Sequence, residues 1–164
     1  MLILEGFQAG LSWITILKRR KHFRKAFAAW DWKKIARFTK SDVTRLMNDP
    51  GIIRNRLKIE AAINNAKRFE EVRREFGSFD RYIWRFTGNR TLVPAHRVKT
   101  FKELPTHSRE SDALSRDLKE RGFTFVGTVI CYAHMQAIGM VDDHLEGCFK
   151  AEIHQLPPHV LPIK

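Results

Sequence analysis

Met47-Asn48-Asp49-Pro50-Gly51-Ile52-Ile53-Arg54-Asn55-Arg56 is the stretch on which the reading of the fold turns. Pro50 disfavours helical backbone at the residue before it, so a helix that begins at Ser41 or Asp42 and runs through Met47 must stop near Asp49. Gly51 turns the chain. Helical spacing then resumes over 54–76, with Ile59, Ile63, Ala66 and Phe69 on one stripe, and Gly77 ends it as a C′ residue. Two helices joined by a tight glycine turn make a helix-hairpin-helix. The N–H groups of Gly51 to Ile53 and of the following first turn are expected to be unpaired and aimed outward, a seat for one phosphate. Arg54, Arg56 and Lys58 add mobile charge beside it. An ordinary αα-corner with a solvated basic face fits the same residues equally well.

Outward from the hairpin, apolar residues recur at helical spacing almost throughout, and hairpin signals such as Asn-Gly or Asp-Gly are missing, so the chain reads as all-α. A short helix is expected over 2–9 and a second over 12–27, capped by Ser12, with Trp13, Ile16, Leu17 and Phe23 inward. Ser78 restarts the chain into a short aromatic helix over 79–86. Residues 87–105 have little periodicity and two prolines; they read as a connecting loop that divides two lobes. A capped helix follows as far as Arg121, then an apolar core helix over 125–138 closed by Gly139. Residues 1–149 form the expected domain. Residues 150–164, with Pro157, Pro158 and Pro162, should be an extended or frayed tail.

With 164 residues, 43% hydrophobic, and 12 Phe and 4 Trp among them, the chain can bury a core and is neither a peptide hormone nor a disordered tail. Lys and Arg number 30 against 18 Asp and Glu, a net +12. The excess lies entirely before residue 91, where 21 basic residues face 9 acidic ones; after it the count is 9 against 9. That half is built to meet a polyanion. Two cysteines, Cys131 and Cys148, are too few for a disulfide framework and point to a reducing compartment, the cytoplasm. No signal-peptide pattern opens the sequence. The apolar stretch 123–141 contains Thr124, Thr128, His134, Gln136 and two glycines, so it reads as a buried helix and not a membrane span.

Several groups could carry chemistry. Residues 18–25 hold six basic residues in eight positions, either a solvated helix face or a phosphate-binding one whose grip would be salt-sensitive and blind to base sequence. Glu5 precedes Trp13 across a break at Ala9-Gly10. By itself Glu5 is a first-turn helical carboxylate and Trp13 a core aromatic. Yet Glu5 sits among Leu2, Ile3, Leu4 and Phe7, and an unpaired carboxylate buried there would be costly unless it met a cationic or donor-rich ligand. His144 and Cys148, four apart, are half of a tetrahedral zinc site, with His154 or His159 as further candidate donors. Cys131 and His134 fall on the apolar helix, where burial is the commoner explanation.

In order along the chain, LEGFQAGLSWITILKRR (4–20), NDPGIIRNRLKIEAAINNA (48–66), SDALSRDLKERGFTFVGTVICYAHMQAIGMVDDH (111–144) and the His144/Cys148 pair resemble the DNA-3-methyladenine glycosylase I family. The resemblance covers 1–149. It implies an all-α, helix-hairpin-helix glycosylase-like bundle in two lobes, a monomer away from membranes. The implied reaction is hydrolysis of the N-glycosidic bond of 3-methyladenine in alkylated double-stranded DNA, with the nucleotide flipped out and free 3-methyladenine as product. By resemblance, Glu5 is the carboxylate that hydrogen-bonds the base's donor edge and the candidate catalytic residue, and Trp13 is the aromatic wall that stacks on it. Gly10 and Leu11 form the wedge entering the DNA stack, and Gly51, Ile52, Ile53 and Arg54 anchor phosphate. The family pattern also carries, before the position of Met1, a Cys and a His that complete a structural zinc site with His144 and Cys148, and a Tyr and a Trp that finish the pocket. This chain is therefore expected to be a shortened member with half of that site. The alternative is a non-catalytic DNA-binding remnant; a helical protein-interaction module is a third reading.

Overall fold

The computed structural model describes residues 1–153. It is helical: α1 (Leu2–Gln8), α2 (Trp13–Lys18), α3 (Arg20–Ala26), α4 (Trp32–Ile35), α5 (Lys40–Met47), α6 (Arg56–Phe76), α7 (Phe79–Trp84), α8 (Arg109–Glu120), α9 (Thr128–Ala137) and α10 (Phe149–Ile153). Among the described residues the single β feature is an isolated bridge between Leu92 and Val141.

Helix α6 is the spine. At 21 residues it extends about 32 Å at 1.5 Å per residue, longer than one small core can cover. Its first half, through Ala66, buries against Phe7, Ile16, Phe23, Phe27, Leu46 and Ile52. Its second half, from Val72, joins Tyr82, Leu114, Leu118, Tyr132 and Met135 in a separate cluster. The two lobes therefore divide along α6 and not at residues 87–105, as expected from the sequence. That loop returns to the second lobe, where Leu92 N–H donates to the Met140 carbonyl and Arg97 grips the buried Asp142 carboxylate with both guanidinium nitrogens at 2.9 Å.

Several boundaries shift for local reasons. The expected single helix over 12–27 breaks at Arg19 (φ −94, ψ 1), and Leu17, expected inward, is exposed. Helix α5 begins a residue early because Thr39 and Asp42 form a reciprocal capping box. Helix α6 begins at Arg56 because the Asn55 side chain accepts from the Lys58 N–H. Helix α9 starts only at Thr128, since Phe125 lies in left-handed backbone at φ 54. Ala28, Ala29 and Trp30 make an unforeseen left-handed turn (φ 49, 55 and 69) before α4. The expected tail is helical at its start, where α10 buries Ala151. Residues 154–164, including His154, His159 and the three tail prolines, lie outside the described residues. No described helix is long and apolar enough to cross a membrane.

Candidate functional site

Helix α1 packs against α2, α6 and α9. Its apolar face fixes Leu4 and Phe7 inward and carries Glu5 with them, leaving that side chain 2% exposed. Among the described residues no hydrogen bond or salt bridge reaches its carboxylate. Burial accordingly raises its pKa above the ordinary carboxylate value, because the charged form has lost water, and the nearby Met1 α-ammonium, which favours that form, offsets only part of the loss. On α9, His134 is likewise buried, with its Nδ1 unpartnered; desolvation drops its pKa to about 4, so it is neutral at pH 7. Trp13, the first residue of α2, packs half-buried on the first core.

Between α1 and α2 the chain makes a turn with the dihedrals of type II: Ala9 at φ −44, ψ 116, then Gly10 at φ 76. The Leu11 N–H closes it onto the Gln8 carbonyl at 2.6 Å. A Cβ on Gly10 would meet nothing within 4 Å, so the backbone angle alone calls for glycine there. Leu11 stands exposed beyond the turn. Sequence reasoning missed the group beneath it. Lys58 was expected as mobile charge beside the hairpin, but it is buried and its Nζ donates to the carbonyls of Phe7 (2.8 Å) and Ala9 (2.5 Å). The available signal was spacing, since Lys58 lies four and eight residues before Ala62 and Ala66 on the buried face of α6.

The hairpin corrects one expectation. Gly51 N–H is taken by the Asp49 side chain at 2.8 Å and Ile52 N–H points to the Asp49 carbonyl at 3.4 Å, an Asx turn that satisfies two donors expected to be free. Among the described residues the unpaired donors of the turn are those of Ile53 and Arg54, followed by Arg56 and Leu57 at the start of α6. The Ile52 side chain is buried in the first core and anchors the turn. Gly51 is required by close approach, because a Cβ there would lie 2.7 Å from Nδ1 and 2.9 Å from Cβ and Cγ of His22 on α3. Arg19 adds a hydrogen bond to the Pro50 carbonyl at 2.9 Å. The basic stretch is thus pressed against the hairpin. Lys18, Arg20, Lys21, Arg24 and Lys25 are all exposed and, among the described residues, form no salt bridge. Arg54 is also exposed; Arg56 is 3.7 Å from Glu60.

His144 Nδ1 and Cys148 Sγ are 3.8 Å apart, near the roughly 3.5 Å that separates nitrogen and sulfur on a tetrahedral zinc. Among the described residues, however, no group of three or more metal-binding side chains forms, and two donors do not make a structural zinc site. Cys131 is buried, its thiol pushed up to about 12 by desolvation, which suits a core residue and not a ligand or nucleophile.

The family model described as methyladenine glycosylase matches residues 1–151. The chain is 47% identical over 148 residues to DNA-3-methyladenine glycosylase 1 of Escherichia coli (strain K12), covering 90% of this chain and 78% of that one. It is 45% identical over 147 residues to DNA-3-methyladenine glycosylase of Haemophilus influenzae, with the same coverages. A crystal structure of 3-methyladenine DNA glycosylase I superposes with a TM-score of 0.86 at 44% identity, over 90% of this chain and 80% of that one. The Staphylococcus aureus enzyme studied for 3-methyladenine recognition superposes at 0.85 and 34% identity, over 90% and 77%. From fold, hairpin and these matches together, the chain belongs to the methyladenine glycosylase family.

Proposed function

We infer that this chain is a DNA-3-methyladenine glycosylase, which hydrolyses the N-glycosidic bond of 3-methyladenine in alkylated duplex DNA during base-excision repair. Its curated relatives carry that name, and one related structure holds 3-methyladenine itself. The observation that carries the reading is Glu5, a carboxylate 2% exposed with no hydrogen-bonding partner of its own among the described residues. With only the Met1 α-ammonium acting on it from a distance, such a group is costly to bury until a ligand bonds it directly.

N3-methylation puts positive charge on the purine, and an extrahelical purine also offers an exocyclic amine as donor. Glu5 answers both, and Trp13 supplies an aromatic face for stacking. The chemistry then asks little of the protein. The C1′–N9 bond breaks with its electron pair moving to N9, which neutralises the base. Water adds to C1′ and releases its proton to solvent. Gly10 and Leu11 serve as the wedge that takes up the vacated stack, while Ile53 and Arg54, flanked by the basic face of α3, hold phosphate. No step passes through a metal. The substrate puts the work with the chromosome, in the cytoplasm, in keeping with free Cys131 and Cys148; one monomer per lesion suffices.

The test is release of 3-methyladenine from methylated duplex DNA by the 164-residue chain. Release should exceed spontaneous loss and fall about tenfold or more in Glu5→Gln, since a charge-assisted hydrogen bond contributes about 1.5–3 kcal/mol. Free 3-methyladenine should bind saturably, weakened by about 1–3 kcal/mol in Trp13→Ala. A wild-type chain that releases nothing above background overturns the reading.

A further inference from the structure

Lys58 is an unusual residue to bury. It occupies the third position of α6, immediately after the hairpin, yet its side chain runs away from the basic surface to the last turn of α1, 51 and 49 residues earlier in sequence. A helix end leaves its final carbonyls without intrahelical donors. At the end of α1 the Gln8 carbonyl is satisfied by the Leu11 N–H, and those of Phe7 and Ala9 by the Lys58 ammonium alone among the described residues. The charge sits at the negative end of the helix, which favours a cation. Phe125, reaching in from the second lobe, covers it with its ring 5.9 Å away and also packs on Gly6, next to Glu5. No carboxylate pairs with it among the described residues, and desolvation lowers its pKa.

We propose that Lys58 is a positioning residue for base flipping, a strut that fixes the Gly10–Leu11 turn at a set distance from the phosphate-holding hairpin. Its backbone belongs to the hairpin's helix and its ammonium to the turn that presents Leu11. Any phosphate drawn onto Ile53 and Arg54 therefore brings Leu11 to a fixed place on the duplex. Without the strut the hairpin still binds DNA and the pocket still binds base, but the wedge is no longer held in register with the grip. The surface lysines of α3 raise affinity; Lys58, with no exposed charge to offer, acts on geometry.

The proposal rests on the glycosylase reading, and its test does not require catalysis. Duplex DNA carrying a stable abasic-site analogue with 2-aminopurine beside it reports unstacking by fluorescence. The wild-type protein should raise the signal at saturation. Lys58→Met should cut that rise at least threefold, with free 3-methyladenine affinity and the salt dependence of duplex binding both within twofold of wild type. Lys58→Gln, which keeps an N–H donor on a side chain one bond shorter, should fall between them and decides the matter if the methionine variant does not fold. A wild-type protein that leaves the reporter stacked, variants that unstack it fully, or a parallel loss of free-base affinity overturns the proposal. Release of 3-methyladenine by the wild type decides the parent reading separately.

Discussion

Replacing Gly51 by alanine isolates the contact that holds the basic helix to the hairpin. Gly51 is not among the glycines with positive φ, so alanine carries no backbone penalty there. The whole cost is steric. The new methyl would stand 2.7 Å from Nδ1 of His22 and 2.9 Å from its Cβ and Cγ. A rotamer change could move Nδ1, but Cβ is tied to the α3 backbone, so α3 or the hairpin must shift by several tenths of an ångström. Overpacking of this kind costs about 1–3 kcal/mol. A hairpin moved off its seat also misplaces the Ile53 and Arg54 donors; losing one phosphate contact should flatten the slope of log affinity against log salt by about 0.9. The assay is a double-mutant cycle by denaturant unfolding, with duplex affinity measured across a salt series. His22 is exposed, so His22→Ala alone should cost less than about 0.5 kcal/mol. In the double variant it removes two of the three clashing atoms and should recover at least half of the loss. If Gly51→Ala is as stable as wild type, or if His22→Ala recovers nothing, the account of why glycine stands at this position is wrong.

Glu5→Gln should raise thermal stability while lowering activity, because it removes a carboxylate that burial disfavours. A gain of about 1 kcal/mol would lift the midpoint by about 2–4 °C for a chain of this size. The sign with pH follows from the raised pKa. Above it the ionised group is a penalty on the fold that fades as pH falls toward 4.5, whereas capture of a cationic base needs the ionised form and is lost on the same descent. A wild-type midpoint that falls further behind Glu5→Gln as pH is lowered would contradict this. At Ala29, exposed at φ 55 and ψ 28, glycine relieves left-handed strain and should stabilise by up to about 1 kcal/mol in a calorimetric melt; a loss would mean the turn is not left-handed in solution.

What the sequence disclosed and what it hid divide by the range of the interaction. Gly77 at a C′ position, Ser78 as an N-cap and the stop before Pro50 depend on a few neighbours, and all three stand where local chemistry puts them. The buried environment of Glu5 was legible for the same reason, from the apolar residues around it. Lys58 was not, because its partners lie in another helix, and neither was the lobe boundary, which depends on where a long helix changes its core. The two glycine breaks make the distinction testable. From sequence both Gly10 and Gly51 read as turns. In the structure Gly10 needs φ 76 and has open space, while Gly51 needs space and has no positive φ. Asparagine tolerates left-handed backbone better than other side chains. Gly10→Asn should therefore cost less than about 1 kcal/mol in denaturant unfolding, whereas Gly51→Asn, with its Cβ driven into His22, should cost about 1–3 kcal/mol. The opposite order would mean that the two turns owe their glycines to something other than backbone angle at the first and close packing at the second.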